Sequence, residues 1–208
     1  MDTQIIVVFC LCVDILKSLH HYEDRQCQRS DAKVMTTAMV AMLYCKGNFS
    51  LACRFLLEQG YIPNMLGASR FNRRLHRMAD LFLTVFLRLG ETWKKLNEKS
   101  VYVIDSYPMA VCDNYRIKRS KIYQGEDFRG YIASKKRYFY GLRIHILVTE
   151  QGEPVEFFLE PGAFRDTRAL GLYNFDVPEG SFVTGDKAYN DYTIEDVMRE
   201  AGIELIPL

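Results

Sequence analysis

Two aspartates close two strand-like runs, and no other pair of residues in this chain points as clearly to chemistry. In VYVIDSYPM, Val101–Met109, three of the four residues before Asp105 are β-branched and the fourth is Tyr102, a pattern that reads as a buried strand. Asp105 stands at the C-terminal end of that run, and Pro108 is expected to stop further pairing. SFVTGD, Ser181–Asp186, has the same layout, an apolar core ending in Asp186. A carboxylate at the mouth of a buried strand loses hydration unless something holds it, and a bound cation is one remedy. Placed side by side, two such strands lie about 4.8 Å apart, which lets both carboxylates converge on one metal site.

Composition limits what can position them. At 208 residues and 49% hydrophobic, the chain has room for one large domain or two small ones with a proper core. A net charge of +1 conceals a strong asymmetry between segments and says nothing by itself about partners. The six cysteines (Cys10, Cys12, Cys27, Cys45, Cys53, Cys112) show no CxxC spacing, and four of them lie in apolar, helix-like stretches. They read as mostly buried thiols of a reducing cytosol, and the scattered histidines weaken a zinc site further. Ile5–Val13 is uninterrupted and apolar, but a bilayer span needs roughly 20 residues. With no basic segment before it, the stretch reads as a buried first helix ending near His20–His21, neither membrane anchor nor signal peptide.

The N-terminal part is helical. Ser30 or Asp31 can cap a helix through Ala32–Lys46, and Gly47-Asn48 breaks it. A second helix is expected over Ser50–Gln59, and a third from Ser69 into the apolar run Met78–Leu89. The early face of the third carries Arg70, Asn72, Arg73, Arg74, His76 and Arg77, so the arrangement is helix-turn-helix-like, with Arg70, Arg73, Arg74 and Arg77 as DNA contacts. A solvated basic face within a helical bundle is the plainer alternative. The polar segment Glu91–Ser100 then places the domain boundary, giving 1–98 as a helical DNA-binding region and 99–208 as a second domain.

Between Asp113 and Arg143 the chain turns basic. Arg116, Lys118, Arg119, Lys121, Arg129, Lys135, Lys136, Arg137 and Arg143 face only Asp113, Glu126 and Asp127, with five tyrosines interleaved. Cations with aromatics beside a carboxylate site suit a phosphate backbone that is attracted and stacked upon, and Arg116, Lys118, Arg119, Lys135, Lys136 and Arg137 are the contacts expected there. A charged loop of no special purpose is again the plainer reading. Tyr140–Thr149 and Val155–Leu159 form an expected hairpin, with His145 packed rather than ligating. Asp166 can cap a short helix, Arg168–Tyr173; after Asp186 come a helix near Thr193–Ala201 and a strand, Ile203–Ile206. The order β-β-β-α-β-α-β, with Asp on the first and fourth strands, is that of an α/β, ribonuclease H-like mixed sheet.

Several segments together resemble the DDE-class transposases of bacterial insertion sequences. They are VIDSYPM around Asp105, KKRYFYGLRIHILVTEQGEPVEFFLEPG (135–162), FRDTRAL (164–170) and VTGDKAYND (183–191). The helical stretches SDAKVMTTAMVAMLYCKGNFSLACRFL (30–56) and SRFNRRLHRM (69–78) resemble the region preceding that domain. The resemblance implies that Asp105 and Asp186 are the first two catalytic acids and hold two magnesium or manganese ions. It implies nicking of element ends and strand transfer into target DNA, a homo-oligomer on paired double-stranded ends, and a cytoplasmic, nucleoid-associated protein. Lys187, directly after Asp186, would touch a phosphate.

The pattern departs from the family in its third acid, a glutamate on a helix beyond the fifth strand. The chain reaches Leu208 on that strand, and Glu195, Glu200 and Glu204 come too early. The expectation is a C-terminally truncated transposase with an incomplete sheet, inactive alone. Other readings are a remnant that occupies element ends and inhibits the intact enzyme, a ribonuclease H-like nuclease acting on RNA–DNA hybrids, and a helical interaction protein with incidental carboxylates.

Overall fold

The computed structural model describes residues 2–24, 26–164, 175–186, 189 and 192–207. The chain forms two compact units, Met1–Val85 and Phe86–Leu208.

The first unit is helical: α1 Asp2–Ser18, α2 Asp31–Tyr44, α3 Phe49–Glu58 and α4 Ala68–Arg77, with α5, Ala79–Leu96, beginning in it. α2 is its centre, buried at Val34, Met35, Ala38, Val40 and Ala41. Its small residues let neighbouring helices approach closely, and its interior hydroxyls are satisfied locally: Thr36 and Thr37 donate to the carbonyls of Ala32 and Lys33 at 2.7 and 2.8 Å. Ser30 caps α2 by accepting from the Lys33 amide, and Asn48 caps α3 through the Leu51 amide at 3.0 Å. Ile5, Val40, Ala41, Ala52, Leu56 and Ile62 make the core. Among the described residues no helix is long and apolar enough to cross a membrane. Residues 45–48 join α2 to α3, and residues 59–67 separate α3 from α4. One expectation fails here: the long third helix is broken at Met78, which leaves helical geometry (φ −104°, ψ 12°) and is buried, so the apolar run that promised continuity supplies a packed hinge.

The second unit is a six-stranded mixed sheet: β1 Val101–Asp113, β2 Arg129–Ile132, β3 Arg137–Thr149, β4 Pro154–Pro161, β5 Ser181–Gly185 and β6 Ile203–Pro207, with α6, Tyr192–Glu200, before β6. The order is β2-β3-β1-β5-β6, and β4 pairs with β3. β1 is antiparallel to β3 and parallel to β5, which is parallel to β6. In its described part this is the α/β, ribonuclease H-like arrangement expected. Alternation sends Tyr102, Ile104, Leu147, Val183, Ile203 and Leu205 to one face, where they form the core with Val155, Phe175, Tyr189 and Met198.

Three features of this unit differ from expectation. β1 does not stop at Pro108 but runs on to Asp113, pairing Pro108 with Arg143. β5 accompanies β1 only as far as Ile104, so Pro108 lies where β1 has β3 alone beside it, an edge position that tolerates a residue without N–H. The short β2 was not foreseen. The polar segment chosen as a boundary is largely helix, since α5 continues to Leu96. The packing divides the chain earlier than 98/99 because the second half of α5 belongs with the sheet. Phe86 meets Phe157 edge-on at 4.9 Å, Trp93 packs against the core, and Lys94 pairs with Glu156. The helix expected at Arg168–Tyr173 and its cap, Asp166, lie outside the described residues.

Candidate active site

Across the parallel β1–β5 pair the last matched residues are Ile104 and Gly185, and Asp105 and Asp186 are the residues that follow them. Carried one residue further, that register would set the two carboxylates about 4.8 Å apart on the face opposite Ile104. Both aspartates are exposed. Asp105 is not at a strand end as expected; it sits within β1, paired with Ile146, and its Oδ1 accepts from the Ser106 amide at 2.7 Å. Asp186 does follow directly on its strand. Gly185 is glycine for a reason of space: a Cβ there would lie 2.9 Å from Ile104 Cγ2 and 3.0 Å from Tyr189 Cδ2.

Hard carboxylate oxygens are the ligands magnesium and manganese take, so the pair fits such an ion. No third His, Cys, Asp or Glu joins it within ligating reach among the described residues. Glu204 shares the exposed face but pairs with Phe182, four positions back along β5 from Asp186, or about 13 Å at the strand rise. Glu195 and Glu200 sit on α6, whose Met198 packs into the opposite face.

The sequence-derived cations fall into two groups. Arg116, Lys118 and Arg119 lie on a 3-10 turn, Asn114–Arg119, and Lys135, Lys136 and Arg137 at the turn into β3; all six are exposed. Arg137 makes a 3.3 Å ion pair with Asp113, and Arg129 lies over the Tyr138 ring at 4.5 Å. Beside them the stretch of β1 beyond Asp105 forms one wall of a cleft of about 510 Å³, with Tyr107, Met109 and Val111 exposed and Lys135 and Arg137 opposite. Nothing in the sequence marked this cleft, because it needs β1 to continue past Pro108. Lys187 lies outside the described residues.

On α4, Arg70, Arg73 and Arg77 are exposed at helical spacing, along one side. Arg74 is different. Its guanidinium donates to Asp31 and to the Arg29 carbonyl, and its side chain is 16% exposed. Burial, the largest single influence, opposes its charge, but the hydrogen bond to Asp31 together with the charges of Asp31 and its neighbours holds its pKa above the ordinary arginine value. It is a structural clamp, not an outward-facing DNA contact. The same Asp31 meets His21 at 2.8 Å and stands with Glu23 in the one group of three ligating side chains close enough for a metal among the described residues. The permanent Arg74 cation already neutralises that carboxylate, so this is an ion-pair node more than a cation site.

With this geometry in view, comparison with known families is decisive. The model of the family described as "Transposase DDE domain" matches residues 95–207. The chain belongs to this family. The matched DDE domain begins in the last turn of α5, spans the sheet from β1 to β6, and contains both aspartates and the basic segment. Membership implies DNA as the partner and a divalent metal as the cofactor. No curated protein matches the chain.

Proposed function

We propose that this chain acts on the ends of a mobile DNA element, with Asp105 and Asp186 holding magnesium or manganese at the phosphodiester to be cut. The observation that supports the reading is the β1–β5 register, whose last matched pair, Ile104 and Gly185, directly precedes Asp105 and Asp186 inside the DDE domain. Divalent ions bound there would activate an attacking water or 3′-hydroxyl and stabilise the leaving oxygen, the two places where in-line displacement develops charge. Asp105, fixed in the β1 ladder, supplies a rigid carboxylate; Asp186 supplies the second from the residue after β5.

Arg116, Lys118, Arg119, Lys135, Lys136 and Arg137 attract the phosphate backbone toward that face, and Tyr107 offers an exposed ring for a base beside Asp105. Arg70, Arg73 and Arg77 provide a further basic surface on α4; Lys187 adds a phosphate contact next to Asp186. Two copies would act on paired ends. A second reading is favoured by one observation: no third carboxylate among the described residues reaches the pair. On that reading the protein occupies element ends without cutting them and competes with an intact enzyme.

The test is incubation with a labelled duplex from the DNA flanking its own gene, in magnesium and then manganese, beside Asp105→Asn and Asp186→Asn. Metal-dependent nicking lost in both variants supports catalysis. Salt-sensitive binding without nicking supports the occupying role. Absence of both nicking and salt-sensitive binding overturns the two readings together.

A further inference from the structure

β3 runs beside β1, and two of its polar residues contact residues next to or near the aspartates. The register sets His145 between Ser106 on β1 and Phe158 on β4. Its imidazole is fully buried and lies flat on the Phe158 ring, centroids 4.6 Å apart. Its Nδ1 is 3.0 Å from the Tyr189 hydroxyl. Tyr189 is 1% exposed, and its amide donates to the Asp186 carbonyl at 2.9 Å, closing the turn that leaves β5. Two residues before His145, Arg143 Nη1 donates to Ser106 Oγ at 3.1 Å, and the Ser106 amide holds Asp105 Oδ1.

A buried imidazole and phenol lose hydration that an apolar pair of the same shape would not, so their retention calls for a purpose beyond filling space. The hydrogen bond between them has a definite length and direction, which apolar packing lacks. We infer that His145 and Tyr189 are positioning residues: their bond ties the Asp186 turn to the strand backing Asp105 and so sets the spacing of the two carboxylates. The Tyr189 ring fills the room that Gly185 leaves open, and its hydroxyl fixes that ring to β3.

The inference rests on the metal-holding role proposed above, and the experiment separates the two. Mn²⁺ affinity is read from the electron paramagnetic resonance signal of the free ion, with thermal unfolding followed alongside. The proteins compared are the parent chain, Asp105→Asn, Tyr189→Phe and the double variant His145→Leu/Tyr189→Phe. The expected result is an Mn²⁺ affinity about tenfold weaker in both Tyr189→Phe proteins, the usual scale for losing a group behind a metal ligand. The double variant removes both ends of that bond but also takes the imidazole away from the buried Glu160, 3.8 Å from His145 Nε2, so Mn²⁺ binding is read below the melting midpoint of every variant, and the double variant should still bind weakly. Parent-like Mn²⁺ affinity in the double variant overturns the inference while leaving the metal site standing. Mn²⁺ binding that Asp105→Asn does not change overturns the metal role, and the inference with it.

Discussion

Arg74 donates through Nε and Nη2 to one oxygen of Asp31, at 3.0 and 2.7 Å, and so ties α4 to the first turn of α2. Its neighbour Arg73 carries the same charge into solvent. Arg74→Ala should lower the unfolding free energy by about 1.5 to 3 kcal/mol, the range for a hydrogen bond to a charged group. Arg73→Ala should stay within about 0.5 kcal/mol of the parent and act on DNA affinity at low salt. Urea titration of both variants, with a filter-binding series in salt, checks the division of labour.

Lys94 and Glu156 form an ion pair with side chains only 12% and 5% exposed, and Glu156 also accepts from the Asp176 amide at 3.1 Å. Glu156→Ala would leave the buried ammonium with only the exposed Asp176 carboxylate, 3.4 Å away, as counter-charge and should cost about 2 to 3 kcal/mol, short of the loss for a wholly unpaired buried charge. Replacing both, as Lys94→Met with Glu156→Leu, should recover much of that loss. Thermal melts of the single and double variants read the difference directly.

Gly141 faces the bulge in β1. A Cβ there would stand 2.2 Å from the Met109 carbonyl oxygen and 2.9 Å from the Val111 nitrogen, where the β1–β3 register shifts. Backbone cannot swing aside as a side chain can, so Gly141→Ala should destabilise by about 1 to 3 kcal/mol. Hydrogen exchange should show the loosening concentrated at Met109–Cys112 rather than at Val101–Ile104.

Burial raises the thiol pKa of Cys12 and Cys53, whereas Cys10 is exposed. At about pH 8, where an ordinary thiol is partly ionised, iodoacetamide should modify Cys10 in the native protein and reach Cys12 and Cys53 only after urea is added. The folded chain keeps those two protons to higher pH than the unfolded chain does. Their contribution to stability is therefore present below the ordinary thiol pKa and lost as pH rises above it, so the urea midpoint should fall between about pH 8 and pH 10. Mass spectrometry of labelled peptides and two urea curves suffice.

The parts legible in the sequence were those with a local cause. β-branched runs ending at Asp105 and Asp186 announced two core strands, and their adjacency follows from strand order in a mixed sheet. Capping chemistry placed the start of α2. What escaped depends on partners far along the chain. Whether Pro108 ends a strand turns on how far β5 runs beside β1, which no window around Pro108 contains. Arg73 and Arg74 are alike in a basic run until Asp31, 43 residues away, selects one. Tyr189 sits in a polar turn whose meaning comes from His145, 44 residues earlier. The break at Met78 hides because an apolar residue serves a hinge and a helix interior equally well.

Asp105 lies inside a strand, while Asp186 lies just past one. Main-chain pairing on β1 continues well beyond Asp105, so its carboxylate is carried on a part of the sheet that cannot shift without taking the long β1–β3 ladder with it. Asp186 follows β5, whose pairing with β1 is matched only as far as Gly185. In a proposed pair of this kind the first residue is the anvil and the second the jaw, and a change in the gap between them would move Asp186 against a fixed Asp105.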